Sequence, residues 1–390
     1  MIKLANRMSR LGTETAFEVL AKAKAIEAQG KEVIHLEIGE PDFDTPQNII
    51  DAAVTALNEG KTHYNPAAGI PELREVLAED MGKRRNIKIH PDQVVVTPGA
   101  KPIMFFTILA LINEGDEVMY PNPGFPIYES VIDFVGAKSV PYPLREEREF
   151  SFNTDEFLSL ITDKTRMIIL NTPQNPTGGI LTEDDLKAVA EVAQQKNIYI
   201  LSDEVYLNII YDGVHHSIAS IPGMQERTII LDGFSKTYAM TGWRLGYGAM
   251  PGDLAEKVVQ LQINSNSCTA TFSQYAGIEA IRGPQDEVHK MVAEFKKRRD
   301  VIVDGLNAIE GISCLRPRGA FYVFPNIQQL GLAGKEFSDL LLAKYGVAAL
   351  SGTAFGKYGA GYLRFSYANS VENIQRALDR IADAVKSLKK

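Results

Sequence analysis

Residues 167–206 read MIILNTPQNPTGGILTEDDLKAVAEVAQQKNIYILSDEVY, and this stretch decides the fold class. Met167 to Leu170 is a short apolar run without polar alternation, which suits a strand covered on both faces. Asn171 to Gly179 is a dense cluster of turn formers. Glu183 to Gln195 then has the longer amphipathic period of a helix, and Ile198 to Leu201 returns to an apolar run. Strand, turn, helix and strand in that order form the unit of a mainly parallel α/β sheet.

The same alternation extends in both directions. Val94-Val95-Val96 precedes an apolar helix from Ile103 to Ile112, Glu117 to Tyr120 precedes a helix from Ile127 to Val135, and Thr228 to Leu231 reads as a further strand. After Pro251 the pattern changes to long helical periods, Asp253 to Ile281 and Glu287 to Ile309. Three strands follow, Phe321 to Phe324, Val347 to Leu350 and Tyr362 to Ser366, with a closing helix from Val371 to Leu388. The last third therefore reads as a smaller α+β domain. No repeat, low-complexity tract or flexible linker separates the parts.

Composition narrows the function. The chain has 390 residues, 45% of them hydrophobic, which suggests two to three domains at roughly 100–200 residues each. Lys and Arg number 41 against 49 Asp and Glu, a net charge of −8, which argues against a nucleic-acid partner. The ten-residue run from Ile103 to Ile112 falls short of the ~20 residues that span a bilayer, and the start carries scattered charges instead of an export signal. Two isolated cysteines, Cys268 and Cys314, make neither a disulfide framework nor a thiolate metal site. The expectation is a cytoplasmic protein bound to neither membrane nor metal.

Several catalytic signatures are absent. Gly352 to Tyr358 lacks the spacing of a phosphate-binding Walker loop, and Gly242, Gly246 and Gly248 do not make a dinucleotide fingerprint. Gly233-Phe234-Ser235-Lys236-Thr237 begins like a nucleophile elbow but carries Thr where the sharp turn requires Gly. Six histidines show no paired ligand spacing.

What remains is a set of polar groups just past strand ends, where open α/β sheets place ligands. In Thr97-Pro98-Gly99-Ala100-Lys101-Pro102, the proline marks a helix start and leaves the Ala100 and Lys101 N–H groups at the positive end of the dipole, ready for a phosphate. Asn175 offers an amide donor and a carbonyl acceptor. Ser202-Asp203-Glu204-Val205-Tyr206 puts two carboxylates at the end of a buried strand. Ser235-Lys236 brings a lysine among apolar neighbours, where a desolvated amine becomes a nucleophile for carbonyl groups. Each has an ordinary reading alone: a cap, a turn, a packed tyrosine, a solvated lysine, an ion pair for Arg244. Together they provide a phosphate cup, a carboxylate for a ring nitrogen, Tyr and Asn for a ring hydroxyl and lysine for an aldehyde, the inventory that pyridoxal phosphate needs.

On these residues the chain resembles the class I/II aminotransferases of the fold-type I pyridoxal-phosphate enzymes, nearest to their aspartate/alanine/aromatic subgroup. The resemblance runs from Gly39-Glu40-Pro41-Asp42-Phe43 through Tyr64 to Arg74 and Ser235 to Arg244, ending at Tyr362 to Ser366. It implies a large domain over residues 47–284 with a mainly parallel seven-stranded sheet, and a discontinuous small α+β domain over 1–46 plus 285–390. It implies pyridoxal 5′-phosphate as cofactor, with Lys236 as the lysine that condenses with its aldehyde and moves the proton at the substrate α-carbon. Asp203 would keep the ring nitrogen protonated, Tyr206 and Asn175 would bond the ring oxygen, and Phe125 would stack on the ring in place of the Trp of some members. The phosphate would sit on Gly99, Ala100 and Lys101 with Ser235, Arg244 and, across a homodimer interface, Tyr64. Gly233 stands where some relatives have a phosphate-binding Ser, which leaves that contact to Ser235. Arg364, helped by Asn175 and the Gly39 backbone, would grip the substrate α-carboxylate.

The resemblance further implies exchange of an amino group between an L-amino acid and a 2-oxo acid, with glutamate and 2-oxoglutarate as one pair, in ping-pong half-reactions. Carbon–sulfur lyases and aminocyclopropane-carboxylate synthases of the same fold share the cofactor residues, and non-catalytic regulators of this fold carry an added DNA-binding domain. Leu261 to Ile281 contains no Lys or Arg, where aspartate-specific members supply a cation for the distal carboxylate. The expectation is a broad amino-donor range with weak preference for aspartate. Asn122-Pro123 and Asn175-Pro176 are expected to be cis.

Overall fold

The computed structural model describes residues 2–388. Met1, Lys389 and Lys390, which the expected small domain includes, lie outside the described residues. Its main sheet runs in the order Val94–Thr97, Gly246–Ala249, Thr228–Gly233, Tyr199–Asp203, Thr165–Asn171, Glu117–Asn122, Lys138–Arg145 and Ser151–Phe152. All neighbouring pairs from Thr228–Gly233 to Lys138–Arg145 are parallel. Gly246–Ala249 is antiparallel to both its neighbours, and Ser151–Phe152 is antiparallel at the far edge. The seven expected strands are thus extended by a two-residue eighth.

The continuous apolar runs behave as double-sided strands should. Side chains alternate across a strand. Met167, Ile169 and Leu201 therefore join a core with Ile103, Met104 and Ile108 of the helix Lys101–Leu111. Ile168, Leu170 and Ile200 join a second core with Leu186, Val189 and Ala193 of the helix Glu183–Lys196. That helix starts at a capping box. The Asp185 N–H donates to Thr182 Oγ1 at 3.1 Å and the Thr182 N–H to Asp185 Oδ2 at 2.9 Å. It ends at Asn197, whose φ of 52° is left-handed.

Register brings the chemistry to one edge. Asn171 lies opposite Asp203, Asp203 opposite Leu231, and both Thr97 and Gly233 pair with Gly246. A separate core is built on the helices Asp286–Asn307 and Val371–Leu388 beneath a three-stranded antiparallel sheet of Tyr322–Val323, Leu363–Ser366 and Leu350–Ser351. Tyr206 and Ile209 belong to this core too, so the segment after Asp203 joins the two sheets.

Three sequence expectations need correction. The helical period Asp253 to Ile281 is two helices, Gly252–Ser265 and Thr271–Arg282, because Ser267 takes a left-handed φ of 64° that no helix tolerates. The strand Val347 to Leu350 changes sheets: Val347–Ala348 pairs with Ile34–His35, and Leu350–Ser351 with Leu363–Ser366. The strand Lys138–Arg145 escaped reading because Pro141 and Pro143 interrupt it. It tolerates them because only Leu144 and Arg145 need a partner on its outer side. Among the described residues no helix is long and apolar enough to cross a membrane.

Candidate active site

A cleft of about 1020 Å³ opens at the carboxyl ends of the parallel strands. Gly39, Ala100, Lys101, Phe125, Asn175, Asp203, Tyr206, Ser235, Lys236, Arg244 and Arg364 all line it, as the sequence reading requires of a single site. Tyr64 does not, and stands 90% exposed outside the cleft of its own chain.

The helix Lys101–Leu111 aims its first turn at this cleft, with Ala100 as cap and Pro102 just inside. Gly99 takes a φ of +86°, and a Cβ there would lie 2.3 Å from Arg244 Nη2. Only glycine lets the guanidinium come so close to the helix start. Arg244 itself has a left-handed φ of 53° and is pinned by an Nη1–H bond to the Thr241 carbonyl at 2.8 Å. It has no carboxylate partner among the described residues. Free amides, the Ser235 hydroxyl and this guanidinium make an anion cup of the kind a phosphate fills.

Deeper in, Asp203 accepts the Tyr128 O–H at 2.6 Å and the Val205 N–H at 3.3 Å. Burial pushes its carboxyl up to about 6, more than these two donors pull it down. Lys236 Nζ donates to the Gly39 carbonyl at 2.6 Å. Burial brings its amine down to about 8, with Glu40 opposing that shift and Arg364 adding to it. An amine so placed is readily neutral and nucleophilic. Tyr206 Oη and Tyr322 Oη share a hydrogen bond of 2.7 Å. A Cβ on Gly39 would sit 2.2 Å from the Tyr322 hydroxyl, so this approach also requires glycine.

Arg364 is buried at the strand end of the small sheet. Its Nη1–H donates to Asn175 Oδ1 at 3.1 Å and its Nη2–H to the Glu37 carbonyl. Among the described residues Nε, although buried, has no hydrogen-bond partner. A buried guanidinium with a donor left over is incomplete, and a carboxylate supplies what is missing. Asn175 is fixed by its N–H bond to Asn171 Oδ1 at 3.0 Å. The expected cis peptides at Asn122-Pro123 and Asn175-Pro176 are present, with a third at Thr172-Pro173.

Sequence reasoning missed Tyr128, Asn171, Tyr322 and Glu14. Tyr128 follows Phe125 by one helical turn, so the two share a face; their rings meet edge-on at 5.6 Å. That spacing was the available signal. Glu14 gave none: its carboxylate meets the Lys101 ammonium across 87 residues of sequence. Lys101, read for its amide alone, also lays its ammonium 5.3 Å from the Phe125 ring centre.

Comparison with known proteins gives the same grouping. The sequence model of the family "Aminotransferase class I and II" matches residues 31–381. An aspartate aminotransferase of Pyrococcus abyssi is 45% identical over 368 residues, 93% of this chain and 94% of that protein. An aromatic-amino-acid aminotransferase 2 of Thermococcus litoralis is 44% identical over 367 residues, with the same coverage of 93% and 94%. The crystal structure of an aspartate aminotransferase from Rhizobium meliloti superposes with a TM-score of 0.95 at 34% identity, covering 99% of both chains.

Proposed function

This chain belongs to the aminotransferase class I and II family and is an aminotransferase, and we propose that it moves the α-amino group of an L-amino acid to 2-oxoglutarate in two half-reactions at this cleft. Pyridoxal 5′-phosphate, when bound, supplies an aldehyde for the amino group and a ring that spreads the charge left on the substrate α-carbon. The residues fit that group: the cup of Ala100, Lys101, Ser235 and Arg244, with the Gly99 approach, would hold its phosphate. Phe125 would pack on the ring face, with Tyr206 and Asn175 at the ring oxygen.

Asp203 has one role in this reading, to keep a proton on the ring nitrogen. Its carboxylate is costly in the ligand-free protein because burial raises its pKa. A cation placed against it removes that cost. Lys236, with its amine lowered by burial, would hold the cofactor through its aldehyde and would carry a proton to and from the substrate α-carbon. Arg364 fixes the α-carboxylate as a fork, with Asn175 orienting it.

The observation that carries the proposal is the convergence of one desolvated lysine, one raised carboxyl and one buried guanidinium with a spare donor in a single cleft. Residues 47–284 are read as the part that holds the cofactor, with 1–46 and 285–390 bearing the substrate arginine. A cytoplasmic homodimer accounts for Tyr64, whose exposed ring would complete the cup of the second subunit.

Mixing cofactor-loaded protein with glutamate, aspartate, alanine or phenylalanine, without acceptor, tests the reaction. One equivalent of 2-oxo acid per site and no ammonia is expected. With a cysteine thioether, which carries a leaving group on its β-carbon, continuous release of pyruvate, ammonia and thiol would instead indicate an eliminating lyase.

A further inference from the structure

We propose that Glu14 sets the side-chain preference of this site by occupying the Lys101 ammonium that a second carboxylate on the substrate would use. The inference rests on the reading of the cleft as an amino-acid site. Glu14 is the cap residue of the helix Thr15–Glu27, yet its side chain makes no bond to that helix. It reaches across the cleft and pairs with Lys101 instead.

The segment before it is tied down. Arg10 Nε–H donates to the Asp133 carbonyl at 2.8 Å and Nη2–H to the Phe134 carbonyl at 3.2 Å, while the Gly12 N–H donates to Ser130 Oγ at 2.9 Å. These bonds to the helix Ile127–Phe134 hold Glu14 in place over the cleft. The other basic residues that this part of the chain brings to the cleft are also matched. Lys24 pairs with Glu27 at 3.0 Å, and His35 bonds to Glu37 at 2.8 Å and Glu27 at 3.1 Å.

The wall is therefore charge-balanced, and between its charges it presents Ala16, Phe17 and Leu20. A neutral or aromatic side chain meets this wall without disturbing any pair. A second carboxylate must take Lys101 from Glu14 and then lie beside a displaced like charge, a penalty directed against dicarboxylates. Because the Lys101 side chain is 49% exposed, the pair is weak and can be exchanged. Glutamate is thus admitted, but at a disadvantage that Glu14 imposes.

The test compares succinate with butyrate, which lacks the second carboxylate, by calorimetric titration of the cofactor-loaded protein. In Glu14→Gln, succinate should tighten by about tenfold while butyrate shifts by less than about twofold. Adding Lys101→Gln should erase that gain. Glu14→Ser, which can cap the helix, should reproduce Glu14→Gln and guards against a folding defect. Unchanged or weaker succinate binding in both Glu14 variants overturns the inference, as does a gain that survives loss of Lys101. If the wild-type protein binds neither acid, the amino-acid reading of the site fails, and this inference with it.

Discussion

Asp203 and Glu204 are neighbours at the end of one buried strand, and they meet opposite surroundings. Glu204 accepts from Arg85 Nε at 2.8 Å, Ser202 Oγ at 2.8 Å and Ser217 Oγ at 2.7 Å, and lies 3.1 Å from His215 Nε2. Burial opposes its charge, but Arg85 and His215 hold it well below the usual carboxylate range. Asp203 points the other way, into the cleft, with two donors and, among the described residues, no cation, and is pushed up to about 6. One carboxylate is complete in the folded chain and serves the fold. The other is left incomplete and open to a ligand. Lys236 and Arg364 belong with Asp203, while Arg85, between Glu204 and Asp232, belongs to the closed network.

The contrast breaks first at Lys236. Lys236→Ala should lower turnover by about 10⁴-fold or more, since it removes the amine proposed above as both nucleophile and proton carrier. Cofactor binding, followed by fluorescence, should persist because the cup and Asp203 are separate from the amine. On the closed side the loss should fall on stability. Glu204→Gln or Arg85→Met leaves a buried charge unmatched and should cost about 3–5 kcal/mol in urea unfolding.

Changing pH sharpens the comparison, because the two carboxylates shift in opposite directions. Asp203 titrates near 6 when folded against an ordinary 3.8, so it holds its proton more tightly in the folded state and subtracts stability as pH rises from about 4 to about 6. Ligand-free Asp203→Asn should therefore gain on wild type across that window, by up to about 3 kcal/mol, while it should transaminate poorly. Glu204 is shifted down, so its contribution is present above the ordinary 4.5 and is lost as pH falls below it. The deficit of Glu204→Gln should shrink in acid. Denaturant midpoints of the three proteins between about pH 3.5 and about pH 7.5 check both signs, because that range covers the Asp203 shift and the upper part of the Glu204 shift.

The smallest effect is expected at Tyr128. Tyr128→Phe deletes the O–H bond to Asp203 and should reduce turnover by about ten- to thirtyfold with little change in stability, read as a kcat loss at unchanged KM for the amino acid.

Much of the cleft was legible because its residues sit within a few positions of strand ends that apolar runs mark clearly: Ala100 after Thr97, Asn175 after Asn171, Lys236 after Gly233. The closed network was not, since Arg85 meets Glu204 across 119 residues, and no local pattern encodes that distance. Tyr128 reaches Asp203 across 75. The prolines of Lys138–Arg145 hid a strand for a different reason, because local propensity argued against a pairing that tertiary context permits.

The most direct test is to load the protein with pyridoxal 5′-phosphate, reduce it with borohydride and locate the label by peptide mass spectrometry. A single phosphopyridoxyl group on Lys236, lost in Lys236→Ala, is the predicted result. A label on Lys101 or another lysine, or none at all, would contradict the account.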